Sequence, residues 1–284
     1  MKRLIVHLLA LILGGTCVTR AFAQAGKEMT TAPAAAAPLF KDRNLEKAVR
    51  KYVFEKRDND KPLVEADLDK LSIIEAKGAG IADLSGLDKC RSLASLDLAN
   101  NKIANLAPLK DLKNIQYLHL AANQLEDISP LAGISALQYV ELSGNRIKDL
   151  RPLAGLTNLA SIYAGTNQVS DIAPLLGLPK LNSLYLEANQ LKRIDGIGQL
   201  KRLGSLSLAG NQISDLKPFD GLDGLSFLFL ENNKIHDFGP LVNMIKRDAE
   251  GPKRFAPYLN LYIGGNPASS QAAVLKKYGV RLGD

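Results

Sequence analysis

Tryptophan is absent from this chain of 284 residues, and cysteine, histidine and methionine are scarce, with two, three and three copies. The sequence also lacks the short motifs typical of phosphate-binding loops, redox dithiols, zinc proteases and serine hydrolases. No nucleophile has a candidate base in its local sequence. These absences predict a protein that is not an enzyme and that holds neither a metal nor a cofactor.

The chain also lacks a strong charge of one sign. Lys and Arg number 36 against 29 Asp and Glu, which gives a net charge of +7. Removal of residues 1–23 would take away three basic residues and no acidic residue, so +4 would remain. The basic residues are scattered and do not recur on one face, so no nucleic-acid partner is predicted.

The apolar run near the N-terminus is too short to span a bilayer. It covers Leu4–Gly15 after two basic residues, and Ala21-Phe22-Ala23 then matches the small-x-small cleavage rule. We therefore predict a signal peptide over residues 1–23, a mature chain that starts at Gln24, and a secreted or periplasmic protein without stable membrane insertion. An uncleaved anchor and lipidation of Cys17 are the alternatives.

Cleavage would leave Cys90 as the single cysteine, so no internal disulfide is expected despite export. Two interpretations of Cys90 stay open. It is either a small buried apolar residue near the first repeat, or the site of a disulfide between two chains.

A constant interval of 22 residues organises most of the chain. Around each repeated asparagine, seven columns hold aliphatic, Phe, Met or Ala residues in every copy, with Ala164 as the smallest in its column. The pattern L-x-x-L-x-L places apolar side chains on one face of a short strand. The regularly spaced asparagines, which include one further copy after an insertion, are Asn101, Asn123, Asn145, Asn167, Asn189, Asn211, Asn233 and Asn266.

The asparagine and proline columns indicate how each strand turns back. An Asn amide both donates and accepts, so it can pair backbone groups that a sharp turn leaves buried. A proline follows most of these asparagines by seven residues, which favours a short outer segment over a long helix. Stacked turns of this kind form a parallel sheet on one side and tight connections on the other.

The motif LxxLxLxxNxIxDIxPLxxL resembles the 22-residue leucine-rich repeats of the protein-phosphatase-regulator and bacterial internalin type. The resemblance covers about Lys61 to Pro267, and it departs from the motif at Asn105, Arg193 and Gly196. It implies a right-handed α/β solenoid with a curved parallel sheet and short convex helical or 3-10 segments. It also implies protein recognition on the concave sheet without identifying the partner. An intracellular phosphatase-regulator role fits the repeat, but the predicted signal peptide argues against it.

Composition and residue pattern divide the chain after residue 23 into four segments. We predict a flexible Ala/Pro/Thr-rich linker over 24–39, a helical N-terminal cap over 40–70, repeats over 71–267 and a C-terminal cap over 268–284. The expected sheet has nine strands. An insertion around Val242–Pro257 predicts a longer helix, and a capping helix is expected over Ala268–Tyr278 with Ala273, Leu275 and Tyr278 partly buried. No apolar tail or anchor motif is seen near the C-terminus, which puts an invasion-like role in doubt.

Strand positions that point away from the core are free to form a binding surface. Aromatics are 6% of the chain, yet they fill seven of the fifteen such positions that we compared. Aromatic side chains often dominate interface energies, although β-propensity alone also favours them on sheets. The predicted concave-face residues are Asp97, Tyr117, His119, Tyr139, Glu141, Tyr163, Tyr185, Glu187, Phe227, Phe229, Glu231 and Tyr262.

These predicted concave-face residues indicate a non-enzymatic module that binds a protein or peptide. The alternative is an envelope scaffold or glycan-binding protein that uses the same aromatic residues. Asp97, His119 and Glu141 should lie side by side, which could in principle form a metal site. Because only one of the three is a histidine, a solvated polar patch is the favoured interpretation.

Overall fold

The computed structural model describes residues 38–283. The predicted signal peptide and all but Pro38 and Leu39 of the predicted linker lie outside these residues. Ten short strands run along the chain: β1 (Ile73–Glu75), β2 (Ser95–Asp97), β3 (Tyr117–His119), β4 (Tyr139–Glu141), β5 (Ser161–Tyr163), β6 (Ser183–Tyr185), β7 (Ser205–Ser207), β8 (Phe227–Phe229), β9 (Asn260–Tyr262) and β10 (Arg281–Gly283).

All ten strands form one parallel sheet in chain order. From β1 to β8, each residue pairs with the residue 22 positions further along the chain, for example Leu118 with Val140. The predicted parallel solenoid and its register are thus confirmed. The insertion after β8 lengthens the step to β9, where Leu228 pairs with Leu261.

The core is a stack of aliphatic side chains behind the sheet. In each strand from β1 to β9 the central residue is fully buried while its two neighbours are more exposed, as alternation along a strand requires. On the opposite side, short 3-10 segments return the chain, and five of those that link consecutive strands from β2 to β8 contain proline near their first residue. The prolines suit these positions because a 3-10 turn leaves its first N–H groups unpaired.

The asparagine column bonds each turn of the solenoid to the turn before it. The Asn145 amide nitrogen donates to the carbonyls of Leu120 and Leu142 at 3.0 and 2.8 Å, while its oxygen accepts from the Leu125 N–H at 2.9 Å. The other seven asparagines of the column make the same contacts. All eight are at most 9% exposed, so the column forms a buried ladder of side-chain hydrogen bonds.

Two helices cover the start of the stack. Helix α1 (Arg43–Arg50) begins after Asp42, whose carboxylate accepts from the N–H groups of Asn44 and Leu45, and α2 spans Glu65–Leu68. Leu45, Val49 and Leu68 are fully buried at the end of the core. These helices therefore cover one end of the core, and packing against the core already begins at Leu39 and Phe40.

One turn has Ala79 where the other turns have asparagine, and two glycines there allow the backbone to bend sharply without steric strain. Gly78 and Gly80 have φ angles of +66° and +77°, a region that glycine tolerates without steric cost. Asn101 of the next turn pairs both the Ala76 carbonyl and the Ile81 N–H. On the other side of this turn, the Asp42 carboxylate of the N-terminal cap accepts from the Ala82 N–H at 2.8 Å.

The C-terminal end differs from the prediction in two respects. The inserted segment does form a longer helix, α3 (Gly239–Glu250). However, β9 is not the last strand, because β10 pairs with β9 in parallel, and the preceding segment Ser269–Tyr278 is 3-10 helix. Ala272 rather than Ala273 is buried there with Leu275, since the tighter 3-10 turn changes which side chains face the core.

Cys90 lies fully within the core of the first turns. Burial, followed by the nearby carboxylates of Asp88 and Asp69, raises the pKa of its thiol to about 12. The thiol is therefore inaccessible and protonated in the folded chain. Of the two interpretations, the small buried apolar residue is confirmed, and a disulfide between folded chains is wrong.

Candidate binding surface

Three rows of side chains cross the sheet on the face opposite the core. The first row contains Ser95, Tyr117, Tyr139, Ser161, Ser183, Ser205, Phe227 and Asn260. The second row contains Asp97, His119, Glu141, Tyr163, Tyr185, Ser207, Phe229 and Tyr262. Two residues further along each strand direction, the third row contains Ala99, Ala121, Ser143, Gly165, Glu187, Ala209, Glu231 and Gly264, whose carbonyls continue the backbone ladder.

The aromatic residues of these rows stack into one continuous series. We call this series the aromatic ladder; it consists of Tyr117, Tyr139, Tyr163, Tyr185, Phe229 and Tyr262. The ring centroids are 4.5, 5.3, 4.7, 6.3 and 4.6 Å apart in that order. Phe227 joins it at 6.4 Å from Phe229. The ladder thus runs along the solenoid axis across seven strands.

The ladder changes rows once. Tyr117 and Tyr139 belong to the first row, whereas Tyr163 and the later members belong to the second row. The change is bridged by the tilted pair Tyr139–Tyr163, whose ring planes differ by 37°. The sequence predicted these tyrosines as neighbours on one face, but their ring contacts emerge only from the structure.

The stacking decides which part of each ring is available to a ligand. Tyr117 and Tyr139 are only 11° from parallel at 4.5 Å, and Tyr163 and Tyr185 are 19° from parallel at 4.7 Å. Two rings that lay side by side in one plane could not approach this closely, so their faces must overlap. The inner rings of the ladder therefore offer edges and hydroxyl groups to a ligand, and their faces are largely occupied.

Ser207 interrupts the aromatic series and explains its widest gap. It is 5% exposed, and the rings of Tyr185 and Phe229 on either side approach each other above it at 6.3 Å. The Tyr185 hydroxyl also bonds the Ser205 hydroxyl at 2.6 Å. Sequence inspection did not single out these two serines, although a small residue between two aromatic residues was the available signal.

Burial keeps two phenols protonated. Loss of hydration, followed by the neighbouring Tyr117 and Glu141, raises the pKa of Tyr139 well above its usual range. Loss of hydration, followed by Tyr185 and Glu141, also raises the pKa of Tyr163. Both hydroxyl groups are therefore neutral hydrogen-bonding groups at any physiological pH.

The polar residues that the sequence grouped at one end lie together but do not form a metal site. The His119 Nδ1 atom is 3.5 Å from an Asp97 carboxylate oxygen, and that oxygen also accepts from the Ala99 N–H at 2.9 Å. The Glu141 carboxylate instead accepts from the Ser143 N–H at 2.7 Å. Over residues 38–283, no group of three or more His, Cys, Asp or Glu side chains is placed to hold a metal ion.

Glu187 and Glu231 lie in the third row beside the ladder. One carboxylate oxygen of each is buried and has no hydrogen-bond partner within the described part of the chain. Gly165 makes room for Glu187, because a β-carbon at Gly165 would collide with the Glu187 carboxylate. The sequence had named both glutamates, but it gave no reason for glycine at position 165.

A regular solenoid with an unobstructed aromatic sheet face is the architecture of a repeat protein that binds other molecules. The family model for leucine-rich repeats in two copies matches residues 91–133, 135–177, 179–221 and 201–243, which is more than half of the chain. The protein therefore belongs to the leucine-rich-repeat family. Among curated proteins, no sequence matches it.

Solved structures place it among internalin-like proteins of bacteria. An internalin of Listeria monocytogenes, inlF, is 27% identical, with a TM-score of 0.74 over 89% of this chain and 75% of that chain. Internalin C2 from the same organism is 29% identical, with a TM-score of 0.57 over 89% of this chain and all of that one. A leucine-rich-repeat protein of Leptospira interrogans shares the fold at 20% identity, with a TM-score of 0.57 over 77% of this chain and 73% of that one.

This kinship indicates a protein-binding module. Leucine-rich-repeat solenoids are typically binding modules rather than enzymes. In the part of the chain from residue 38 to residue 283, no helix combines the length and the apolar character needed to cross a bilayer.

Proposed function

We propose that this protein is an exported, non-enzymatic module that binds a protein or peptide on its sheet face through the aromatic ladder. The carrying observation is the ladder itself, six rings in contact across seven strands with no other element of residues 38–283 packed over them. Tyr117 and Phe227 are 37% and 43% exposed, although aromatic rings gain nothing for folding by facing water. Contact with a ligand would account for the exposure of these rings.

The stacked geometry favours a polypeptide over a glycan. A sugar ring binds an aromatic side chain by lying flat on an exposed ring face, and neighbouring rings occupy most of those faces in the ladder. Ring edges and phenol hydroxyls suit a polypeptide, whose apolar groups and backbone amides alternate. A glycan-binding or envelope-scaffold role is the alternative.

Removal of two central rings should abolish binding. In the double variant Tyr139→Ala with Tyr163→Ala we expect at least about a 100-fold loss of affinity, since two central interface aromatics are truncated. A phage-displayed peptide library selected on the immobilised protein supplies ligands, and a glycan array tests the alternative. Affinities are then compared between the wild type and the double variant.

Two controls make this result interpretable. Ser161→Ala changes the same face without removing a ring and should bind as the wild type does. Thermal melting of each variant checks folding. If the folded double variant binds peptides as tightly as the wild type does, the proposed surface is refuted. If the wild type binds glycans but no peptides, and the double variant loses the glycans, the alternative is favoured.

Export is the second element of the proposal, supported by the sequence of residues 1–23. Expression of the full chain in a bacterium with general secretion should yield exported protein whose first residue is Gln24, as read by mass spectrometry. Replacement of the small residue at the cleavage site, Ala23→Tyr, should leave the precursor uncleaved. An intact chain retained in the cytoplasm would contradict export, and a modified Cys17 at the N-terminus would instead indicate a lipoprotein.

A further inference from the structure

Charge is sorted unevenly on the sheet face. Between β2 and β9, the three rows contain four carboxylates and neither lysine nor arginine. Yet the chain as a whole has 36 basic residues and a net charge of +7. The acidic residues on this face are Asp97, Glu141, Glu187 and Glu231. The aromatic ladder therefore lies in a locally acidic strip of a basic protein.

The four carboxylates stay on one side of the ladder. Where the rings occupy the first row, at Tyr117 and Tyr139, the nearby acids Asp97 and Glu141 occupy the second row. Where the rings move to the second row, the acids Glu187 and Glu231 occupy the third. The opposite side carries uncharged residues, among them Gln116, Gln138, Ser183 and Ser205. A ligand seated on the rings is thus flanked by negative charge along one edge only.

The carboxylates also recur at a regular interval. They come from β2, β4 and the turns that contain β6 and β8, which is every second turn of the solenoid. Adjacent strands are about 4.8 Å apart, so successive carboxylates are spaced by ~9.6 Å along the solenoid axis. A ligand that matches this surface would carry positive charges at the same spacing.

These carboxylates retain acceptor capacity for a ligand. Asp97 and Glu141 each use one oxygen to accept from the backbone N–H two residues further on. In Glu187 and Glu231 one oxygen is buried without any donor among residues 38–283. A buried carboxylate oxygen without a donor is costly, and a ligand cation bound at the other oxygen of the same carboxylate would offset that cost by neutralising its charge.

We infer that the segment bound by the aromatic ladder is an extended, basic polypeptide segment whose lysine or arginine side chains recur at every third residue. This inference rests on the proposed function and adds the chemistry of the ligand. Three residues advance ~9.3 Å in polyproline II, close to the carboxylate interval, and one turn of that helix returns every third side chain to the same side. In a β-strand, residues three apart point to opposite faces and could not all meet one row of carboxylates. An α-helix rises only ~1.5 Å per residue, so basic residues would match the interval only every six or seven positions.

Synthetic peptides test both the charge and the spacing. The probe is a fluorescent peptide of four Lys-Ser-Pro repeats, compared with a peptide in which glutamate replaces lysine and with one of equal composition whose four lysines are consecutive. By fluorescence anisotropy, the lysine repeat should bind at least ~10-fold tighter than the consecutive arrangement, and the glutamate peptide should not bind. Affinity should fall as salt rises from ~50 to ~500 mM, because exposed charge pairs are screened.

Two isosteric variants assign the effect to the face. Glu187→Gln with Glu231→Gln should weaken the lysine-repeat peptide at least ~10-fold without lowering the melting temperature, since charged partners outweigh neutral ones. The control Glu126→Gln with Glu250→Gln removes the same charge from exposed positions off the face and should leave affinity unchanged. Equal weakening by the control pair would overturn the inference.

The remaining outcomes separate this inference from the proposed function. Equal affinity for the lysine and glutamate peptides would overturn the basic ligand, and equal affinity for the two lysine arrangements would overturn the spacing. If library selection yields ladder-dependent peptides that are not basic, the proposed function stands and the basic ligand is refuted. If peptides bind the folded Tyr139→Ala, Tyr163→Ala variant as well as the wild type, the proposed surface itself is refuted.

Discussion

Replacement of Asn145 by alanine should destabilise the fold by about 2–5 kcal/mol, a large fraction of a typical domain's stability. The reason lies in which groups lose every partner. The Leu125 N–H has the Asn145 side chain as its acceptor and would be left buried and unpaired. The Leu120 and Leu142 carbonyls would each lose one donor but keep a second, because Asn123 and Asn167 donate to them at 3.0 Å.

Because both carbonyls keep a second donor, the expected loss of unfolding free energy is limited. One orphaned N–H costs about 1–3 kcal/mol, and the two lost bonds, whose carbonyls keep a second donor, add about 0.5–1 kcal/mol each. Each kcal/mol lowers the melting temperature of a domain of this length by ~2–4 °C, so a fall of roughly 4–20 °C is expected by calorimetry or circular dichroism.

An exposed asparagine provides the matched control for Asn145. Asn158 also donates from its side chain to a carbonyl of the preceding turn, Ser135, at 3.0 Å, but on the surface. Because water can replace that bond, Asn158→Ala should change stability by no more than about 0.5 kcal/mol. Equal melting temperatures for Asn145→Ala and the wild type would show that the buried ladder does not hold the turns together.

The regular part of the fold was predictable from sequence because the interval never changes from Asn101 to Asn233. A parallel strand shifted by one residue would turn its buried side chains to the solvent, so an unbroken 22-residue apolar pattern permits one register. The pairings Leu118–Val140 and Ile162–Leu184 follow that register. Sequence and structure agree wherever burial alone determines position.

The tenth strand was missed because burial does not determine it. Leu282 is only partly buried, and Arg281-Leu282-Gly283 lacks the L-x-x-L-x-L frame and the following asparagine of the other strands. The segment is held largely by backbone pairing, such as the Arg281 N–H with the Leu259 carbonyl at 2.9 Å. Backbone groups pair with any sequence, so the open edge of β9 could recruit a strand that no side-chain pattern announces.

The candidate site was predictable as a set of positions but not as a set of contacts. Strand alternation fixes that Tyr139 and Tyr163 share a face, whereas their approach to 5.3 Å depends on side-chain torsions that pattern reasoning does not supply. The space that Gly165 leaves for Glu187 is likewise a packing relation between neighbouring turns. The sequence repeat therefore predicts which residues lie on the surface, whereas the ring stacking and the placement of the charges are seen only in the structure.

Truncation of Leu142 to alanine should cost about 3–5 kcal/mol, in the upper part of the range for buried leucines. Leu142 is fully buried, and its counterpart in the next turn is Ala164, the smallest residue of that core column. The cost of such a truncation grows with the cavity that remains, by about 24 cal/mol per Å³. Since Ala164 cannot extend into the vacated space, Leu142→Ala would leave two small residues in succession and little means of collapse.

A partly exposed leucine separates this packing effect from the loss of any leucine. Leu176 lies in the 3-10 region on the opposite side of the turn and is only half-buried, so Leu176→Ala should cost about 1 kcal/mol or less. Denaturant unfolding of both variants gives the two free energies on one scale. If Leu142→Ala proves as mild as Leu176→Ala, then the aliphatic stack is not close-packed at its centre. The sheet face that it supports would then lack the rigid base on which a fixed spacing of rings and carboxylates depends.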